Sequence, residues 1–508
     1  MRIRGCFSFT RLLITAGCLI IHSASSFGQG TAEQRAASGL DEERGLRINA
    51  DGASPGYVLF GPLLSDTTYL IDNDGQVVHT WTSDYAPAGS SYLRDNGNLM
   101  RGGREPVLHG ISAGGQGGNI QEFTWEGELV WQIDLNTEDR LLHHDIQILP
   151  NGNVLAIAWE VKTAAEARQA GRHPNLIPER GLWPDMILEY EPQPPDGARV
   201  VWEWHAWDHL IQDYDPELDN YGVPAEHPER IDINGDVLPP SAEELELLRT
   251  RGFIDPDADP AEDSDLIHAN GVHYNAALDQ IVISAHNYNE LWVIDHSTTT
   301  EEASGNSGGR YGMGGDLLYR SGNPRAYGRD TEDNRRMGGQ HDARWIPEGF
   351  PGAGNILVFN NNAPGADGPF TSVDELQAPI NDEGHYGLSH DAPFGPLEPV
   401  WSYSAPNFRA SFISGAHRLI NGNTLITSGP RGRFMEVTPD QEIVWEYWTP
   451  YSGEVFLPDG SRPQPVNFNV FAVFRATRIP PDHPALAGRS LEPMSPQPPI
   501  VQPTYPED

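Results

Sequence analysis

The chain has 508 residues, with 72 Asp and Glu against 33 Lys and Arg, a formal net charge of −39. Such a charge repels phosphate backbones and argues against nucleic acid as a partner. With 53 Gly, 43 Pro and 38% hydrophobic residues, the composition calls for a large core built from short strands and many turns, and disfavours a helical bundle.

Arg2, Arg4 and Arg11 precede a short apolar run, Leu12 to Ile21, and then small residues. Residues 1–29 read as a secretory signal peptide cut near Gln29, too short to span a membrane. A periplasmic or secreted product is expected, and no later stretch is apolar enough to be a membrane span. Cys6 and Cys18 both lie inside this segment, so the mature chain offers no disulfide, thiolate nucleophile or Cys-bound zinc. Residues 30–56 read as an N-terminal leader. The one lysine is Lys162, and no GxxxxGK followed by Ser or Thr occurs, so a P-loop is absent.

From 57 to 480 two themes alternate. One is N-G-N before an apolar run: "RDNGNLM" (94–100), "LPNGNVLAIAWE" (149–160) and "INGNTLITSG" (420–429), with looser versions at 278–287 and 353–362. The other is an apolar strand, a polar turn and a strand ending near Trp: 69–81, 120–133, 187–204 and 434–448, with partial copies at 291–303 and 397–406. Together they make six cycles, starting near Tyr57, Ser90, His143, His268, His341 and Ser414. The fold class predicted is all-β, a six-bladed β-propeller of four-stranded antiparallel blades. The first cycle is short, and the stretch near 466–477 is expected to return and complete it. Two rim insertions are expected, about 208–265 with a helical stretch Ser241–Gly252, and about 364–396. The Pro-rich tail 481–508 is expected to lack order. The acidic runs 213–220, 232–236 and 255–265 lack EF-hand spacing and read as solvated loops.

Four cycles open on histidine: His143-His144, His268, His341 and His417. One such residue would read as a surface or loop-anchoring side chain. Four in register place imidazoles at the mouth of a propeller axis. His144 is preferred over His143 because Asp145, Gln147 and Leu149 alternate with Ile146 and Ile148. Neutral imidazole is a nucleophile and a base. Arg344 would add a planar donor fork for anionic oxygens, although three residues along a strand it faces away from His341. A metal centre on four histidines and a binding propeller without chemistry are the competing readings.

The segments "HHDIQILPNGN", "DLIHANGVHYN", "VISAHNYNELWVIDHSTTTEEA", "GGDLLYRSGNP", "GQHDARWIPEGFPGAGNILVFNN" and "SGAHRLINGNTLI" resemble the bacterial arylsulfotransferase family, from about Gly56 to Pro450. The resemblance implies a six-bladed propeller that moves a sulfuryl group from a phenolic sulfate to a phenol. The route is ping-pong through a sulfated histidine, with no nucleotide donor and no cofactor. The partners implied are a small aromatic sulfate donor and a phenolic acceptor. By resemblance His341 takes the sulfuryl group, His144 and His268 bond its oxygens or move the phenolic proton, and Asn270 donates to a sulfate oxygen. Where that family carries a catalytic arginine this chain has His286, with Arg310, Arg320 or Arg344 as possible compensation. His417 stands where a different polar residue is expected, and is grouped with Asn270 and Arg344 as substrate-binding.

Overall fold

The N-G-N turns fix the hairpins from which the fold is assembled. In each, the first Asn accepts the backbone N–H two residues on (Asn96 Oδ1 from Asn98, 2.9 Å; Asn151 from Asn153, 2.9 Å; Asn421 from Asn423, 3.1 Å). The glycine between sits at φ near +90° (Gly97 +92°, Gly152 +90°, Gly422 +91°), which a side chain disfavours. The second Asn donates to a glutamate on the third strand of its own blade: Asn98 to Glu122, Asn153 to Glu189 and Asn423 to Glu436. The motif therefore ties three strands in each of blades two, three and six.

The computed structural model describes residues 42–107, 109–111, 113–236, 263–389, 392–453 and 470–500. The signal segment and the helical stretch Ser241–Gly252 lie outside the described residues. Six antiparallel sheets of at least four strands form a ring, a six-bladed β-propeller. The inner strands are Val473–Ile479, Pro87–Leu93, Arg140–Ile148, Ala269–Asn275, His341–Trp345 and Gly415–Arg418, for blades one to six, each packed against the next. Blade one closes the ring as expected, because Val473–Ile479 pairs with Tyr57–Pro62. Gly45–Asn49, read as leader, adds a fifth, outer strand to blade six by pairing with Ile443–Trp448.

The core lies between blades. An apolar cluster fills each of the six seams, with Trp81, Trp131, Trp204, Trp292 and Trp445 fully buried. The Trp ending the second theme bridges seams. Trp81 donates to Thr124 O (3.1 Å), Trp131 to Gly197 O (2.8 Å), Trp204 to Gly315 O (2.8 Å), Trp401 to Pro439 O (3.0 Å) and Trp445 to Asn73 O (2.9 Å), each on the following blade or its connection. Burial of the ring and satisfaction of its N–H select indole there.

Two expectations need correction. Phe370–Leu376, placed in an insertion at 364–396, is the third strand of blade five. Its Thr371, Ser372, Asp374 and Glu375 are buried: Thr371 donates to Asn361 O, Asp374 accepts from Ser372, Asn360 and Ser402, and Glu375 accepts from Arg418, so a polar composition concealed a strand. The tail is packed over 481–500: Leu486 is buried against blade one, and Val77 exchanges hydrogen bonds with the Gln497 side chain (2.8 and 3.0 Å).

Candidate active site

The inner strands of blades three, four and five are bulged where they meet one mouth of the axis. His144, His268 and Asp342 take φ of 54°, 55° and 57°, a left-handed conformation uncommon outside glycine. Bulges of this kind re-aim side chains, and strain is often concentrated at functional sites. Here they gather imidazoles. Ring centroids run 4.5 Å from His144 to His268, 4.9 Å from His268 to His286 and 5.6 Å from His286 to His341.

His341 is buried with a fixed tautomer. Its Nδ1 lies 2.9 Å from Asn361 Oδ1 and 3.0 Å from Gly339 O. Asn361 donates its amide to Ala410 O (2.9 Å) and Ile413 O (2.8 Å), so its oxygen can only accept. The proton is on Nδ1, and Nε2 carries the lone pair. Burial, and then the neighbouring His286, hold the His341 pKa well below the ordinary histidine value. The result is a neutral imidazole at physiological pH, a form able to act as a nucleophile or a base.

His268 is the opposite case. Its Nδ1 meets Asp265 Oδ2 at 2.5 Å, and Trp159 Nε1–H donates to Asp265 Oδ1 (2.9 Å). Burial opposes the charged ring, but Asp265 outweighs it and raises the pKa, while Asp265 is lowered by His268 against its own desolvation. Among the four imidazoles His268 is the one shifted towards the cation. His286 Nδ1 donates to Asn287 Oδ1 (2.9 Å), whose amide is committed to Asp265 O (2.7 Å). Burial lowers its pKa to about 4, so it faces the cluster with a neutral ring and cannot supply the fixed charge of an arginine. His144 is likewise held neutral by burial and by the other histidines. A Cβ added at Gly115 would fall 2.1 Å from the His144 ring, so only glycine lets that segment cross the site.

Below the imidazoles a charged plug closes the axis. Arg475 bonds Asp145 Oδ2 (2.6 Å) and Asn270 O (3.0 Å) and lies 3.1 Å from Asp342 Oδ1. Tyr92 donates to Asp145 (2.7 Å), and the N–H of Ala416 to Asp342 (2.9 Å). All six inner strands are tied here. Phe474 lies between plug and site, its ring centroid 6.0 Å from His144 and 6.2 Å from His341.

The structure thus brings together His144, His268, His286 and His341. Asn270 is buried beside them, but its amide donates to Gln340 O (2.9 Å) and braces the segment entering His341. Arg344 is held by Asp342 Oδ1 (2.9 and 2.6 Å), and its charge acts on His273 and His417. His417 Nε2 accepts the Arg478 N–H (3.1 Å), a tie between inner strands six and one. Arg320 is buried on Glu290, and Arg310 donates to Ala277 O (3.1 Å), so neither meets the cluster. Asp265, Asn361, Asn287, Trp159 and Phe474 complete the site without having been singled out. Asp265 had a signal, the D-x-x-H spacing of "DLIH", but it sits at the end of an acidic run that reads as solvated loop. No group of three or more His, Asp or Glu among the described residues has the arrangement of a metal-ligand set, and none of their helices is long and apolar enough to cross a membrane.

The sequence model of the Arylsulfotransferase (ASST) family matches residues 63–447, most of the chain. No curated protein matches. Similar solved structures include a protein of unknown function from Bacteroides caccae (11% identity, 83% of this chain and 98% of that one, TM-score 0.40) and a functionally unknown protein from Desulfotomaculum acetoxidans (8% identity, 77% and 95%, TM-score 0.36). At such TM-scores nothing about this chain follows from them.

Proposed function

This chain belongs to the arylsulfotransferase family, and from that premise we propose that it is an exported enzyme moving a sulfuryl group from a phenolic sulfate ester to a phenol through His341, with no nucleotide donor. The observation that carries the reading is the His341–Asn361 pair, which leaves an unprotonated Nε2 in a cluster with His286, His268 and His144, of which His268 is shifted towards the cation. In the first step Nε2 attacks sulfur, the S–O bond breaks, and the phenolic oxygen leaves with the electron pair and takes up a proton. In the second step an acceptor phenol attacks the sulfur on His341 and gives up its proton. One hard transfer becomes two easier ones.

The His268 imidazolium, held by Asp265, faces the negative sulfuryl oxygens, and a fixed charge in a buried site stabilises them without reorganisation. His144, lining the same mouth, is placed to exchange the phenolic proton. Phe474 offers the aromatic ring of the substrate an apolar face. The test is release of phenol from an aryl sulfate with and without a second phenol. Release that rises with acceptor and vanishes in His341→Ala is expected. Release by His341→Ala at the wild-type rate would refute the role given to His341.

A further inference from the structure

A row of buried groups leads away from His144. Its Nδ1 lies 2.8 Å from Nδ1 of His143. Nε2 of His143 lies 3.1 Å from Asp185 Oδ1. The His143 ring stacks on Trp159 at 3.9 Å and 7°, and both His143 and Asp185 are fully buried. Asp185 Oδ1 also accepts the Ala269 N–H (2.9 Å). Neither its Oδ2 nor Nε2 of His143 has an aligned hydrogen-bond partner among the described residues, so His143 and Asp185 stand within donor–acceptor distance but off alignment. A bare carboxylate oxygen in that position is costly, and a neutral carboxyl is much less so.

Two imidazole nitrogens facing each other can share one proton only, so the protonation of the three groups is correlated. In one state Asp185 carries a proton, His143 donates from Nδ1, and His144 presents Nε2–H to the site. In the other Asp185 is a carboxylate, His143 carries its proton on Nε2, His144 donates from Nδ1, and His144 Nε2 presents a lone pair. Neither state needs an imidazolium. Burial pushes the Asp185 carboxyl well above the usual range, and the nearby Asp265 adds to it; burial lowers His143 to about 3.

We propose that Asp185 and His143 are a proton relay that sets whether His144 Nε2 gives or takes the phenolic proton. The proposal rests on the two-step transfer through His341. As the S–O bond breaks and the N–S bond forms, the departing phenolic oxygen takes the proton of His144 Nε2. The His143 Nδ1 proton passes to His144 Nδ1, and the Asp185 proton passes to His143 Nε2. Asp185 is left as the carboxylate, and His144 as a base. In the second step the acceptor O–H gives its proton to His144 Nε2, the O–S bond forms, the N–S bond breaks, and the row shifts back. Protons and charge balance over the cycle with no outside acid. His143 and Asp185 touch no substrate and are positioning residues.

Asp185→Asn and His143→Phe in the full chain test this. The amide oxygen introduced by Asp185→Asn still accepts from Ala269, but the side chain holds no labile carboxyl proton. The phenyl ring introduced by His143→Phe keeps the stack on Trp159. Steady-state kcat and KM are measured over aryl sulfates of graded leaving-group basicity. For phenyl sulfate kcat falls ~100-fold or more, within the range of general acid catalysis, with KM changed by only about two- to threefold. For 4-nitrophenyl sulfate, whose phenolate leaves without a proton, the loss is less than ~10-fold. An equal loss across the series, or none, overturns the relay. Failure of wild type with every aryl sulfate would refute the transfer reading instead. A second measurement then decides the relay by itself: in 15N-histidine-labelled protein one proton correlates with Nδ1 of both His143 and His144, and this is lost in His143→Phe. Absence of that correlation in wild type overturns the relay whatever the activity.

Discussion

His341 and His268 carry the same side chain, and their surroundings shift their pKa values in opposite directions. An amide oxygen that can only accept fixes the tautomer of His341, and burial keeps that ring neutral. A carboxylate makes His268 the more easily protonated ring. Asn361→Ala frees the His341 tautomer, and kcat is expected to fall on the order of 100-fold, as when a catalytic histidine loses its orienting partner, with the fold retained by circular dichroism. The pH dependence follows from His268. Its raised pKa means that the cation is present below that value and lost as pH rises through it, so activity declines on the alkaline side. Asp265→Asn removes the cause, and the alkaline limb of kcat/KM moves to lower pH. An unmoved limb would show that another group titrates there. The repeat marked four histidines, and the family resemblance singled out His341 among them as the candidate nucleophile. Its orienting partner could not be read, because Asn361 stands in "VFNNN", where three adjacent Asn are indistinguishable until the turn is folded.

Blades two, three and six each couple an Asx turn to a glutamate on the third strand, so these hairpin motifs are stronger than turn chemistry alone. Asn153→Ala removes the bond to Glu189 that anchors the turn, and about 2 kcal/mol of stability is expected to be lost, in the range for a hydrogen bond to a charged group, measured by chemical denaturation. At the site, Gly115→Ala forces the His144 ring aside; a shift of about 1 Å costs ~100-fold in rate, expected here in kcat with little change in unfolding midpoint. The hairpins were legible because Gly at φ near +90° and Asn in Asx turns leave a local signature. The bulges were not, since His144, His268 and Asp342 adopt left-handed φ under tertiary constraint rather than by residue preference. That is why strand alternation alone could select His144 but could not show that His143 lies behind it, in contact with it. The third strand of blade five was missed for a related reason, its polar residues being satisfied only by strands distant in sequence.

The ring is closed at both ends of the described chain, with Val473–Ile479 completing blade one and Gly45–Asn49 edging blade six. Removing residues 470–500 leaves Tyr57–Pro62 with an unpaired inner edge, and loss of cooperative unfolding is expected. The axial plug matters as much, since six inner strands meet through Arg475, Asp145 and Asp342. Arg475→Met strands two buried carboxylates, a change expected to cost about 3–5 kcal/mol. The number of blades and the closure were legible because turns recur at regular spacing and five of the six blades carry a seam-bridging Trp; the plug was not, because its members come from different blades at different repeat positions. The mouth above the plug is where the chemistry is placed, and there mass spectrometry of rapidly quenched protein, given an aryl sulfate and no acceptor, is decisive. One sulfuryl group on the peptide containing His341, discharged by added phenol, is the predicted result. Turnover with no adduct, or an adduct on another residue, would contradict it.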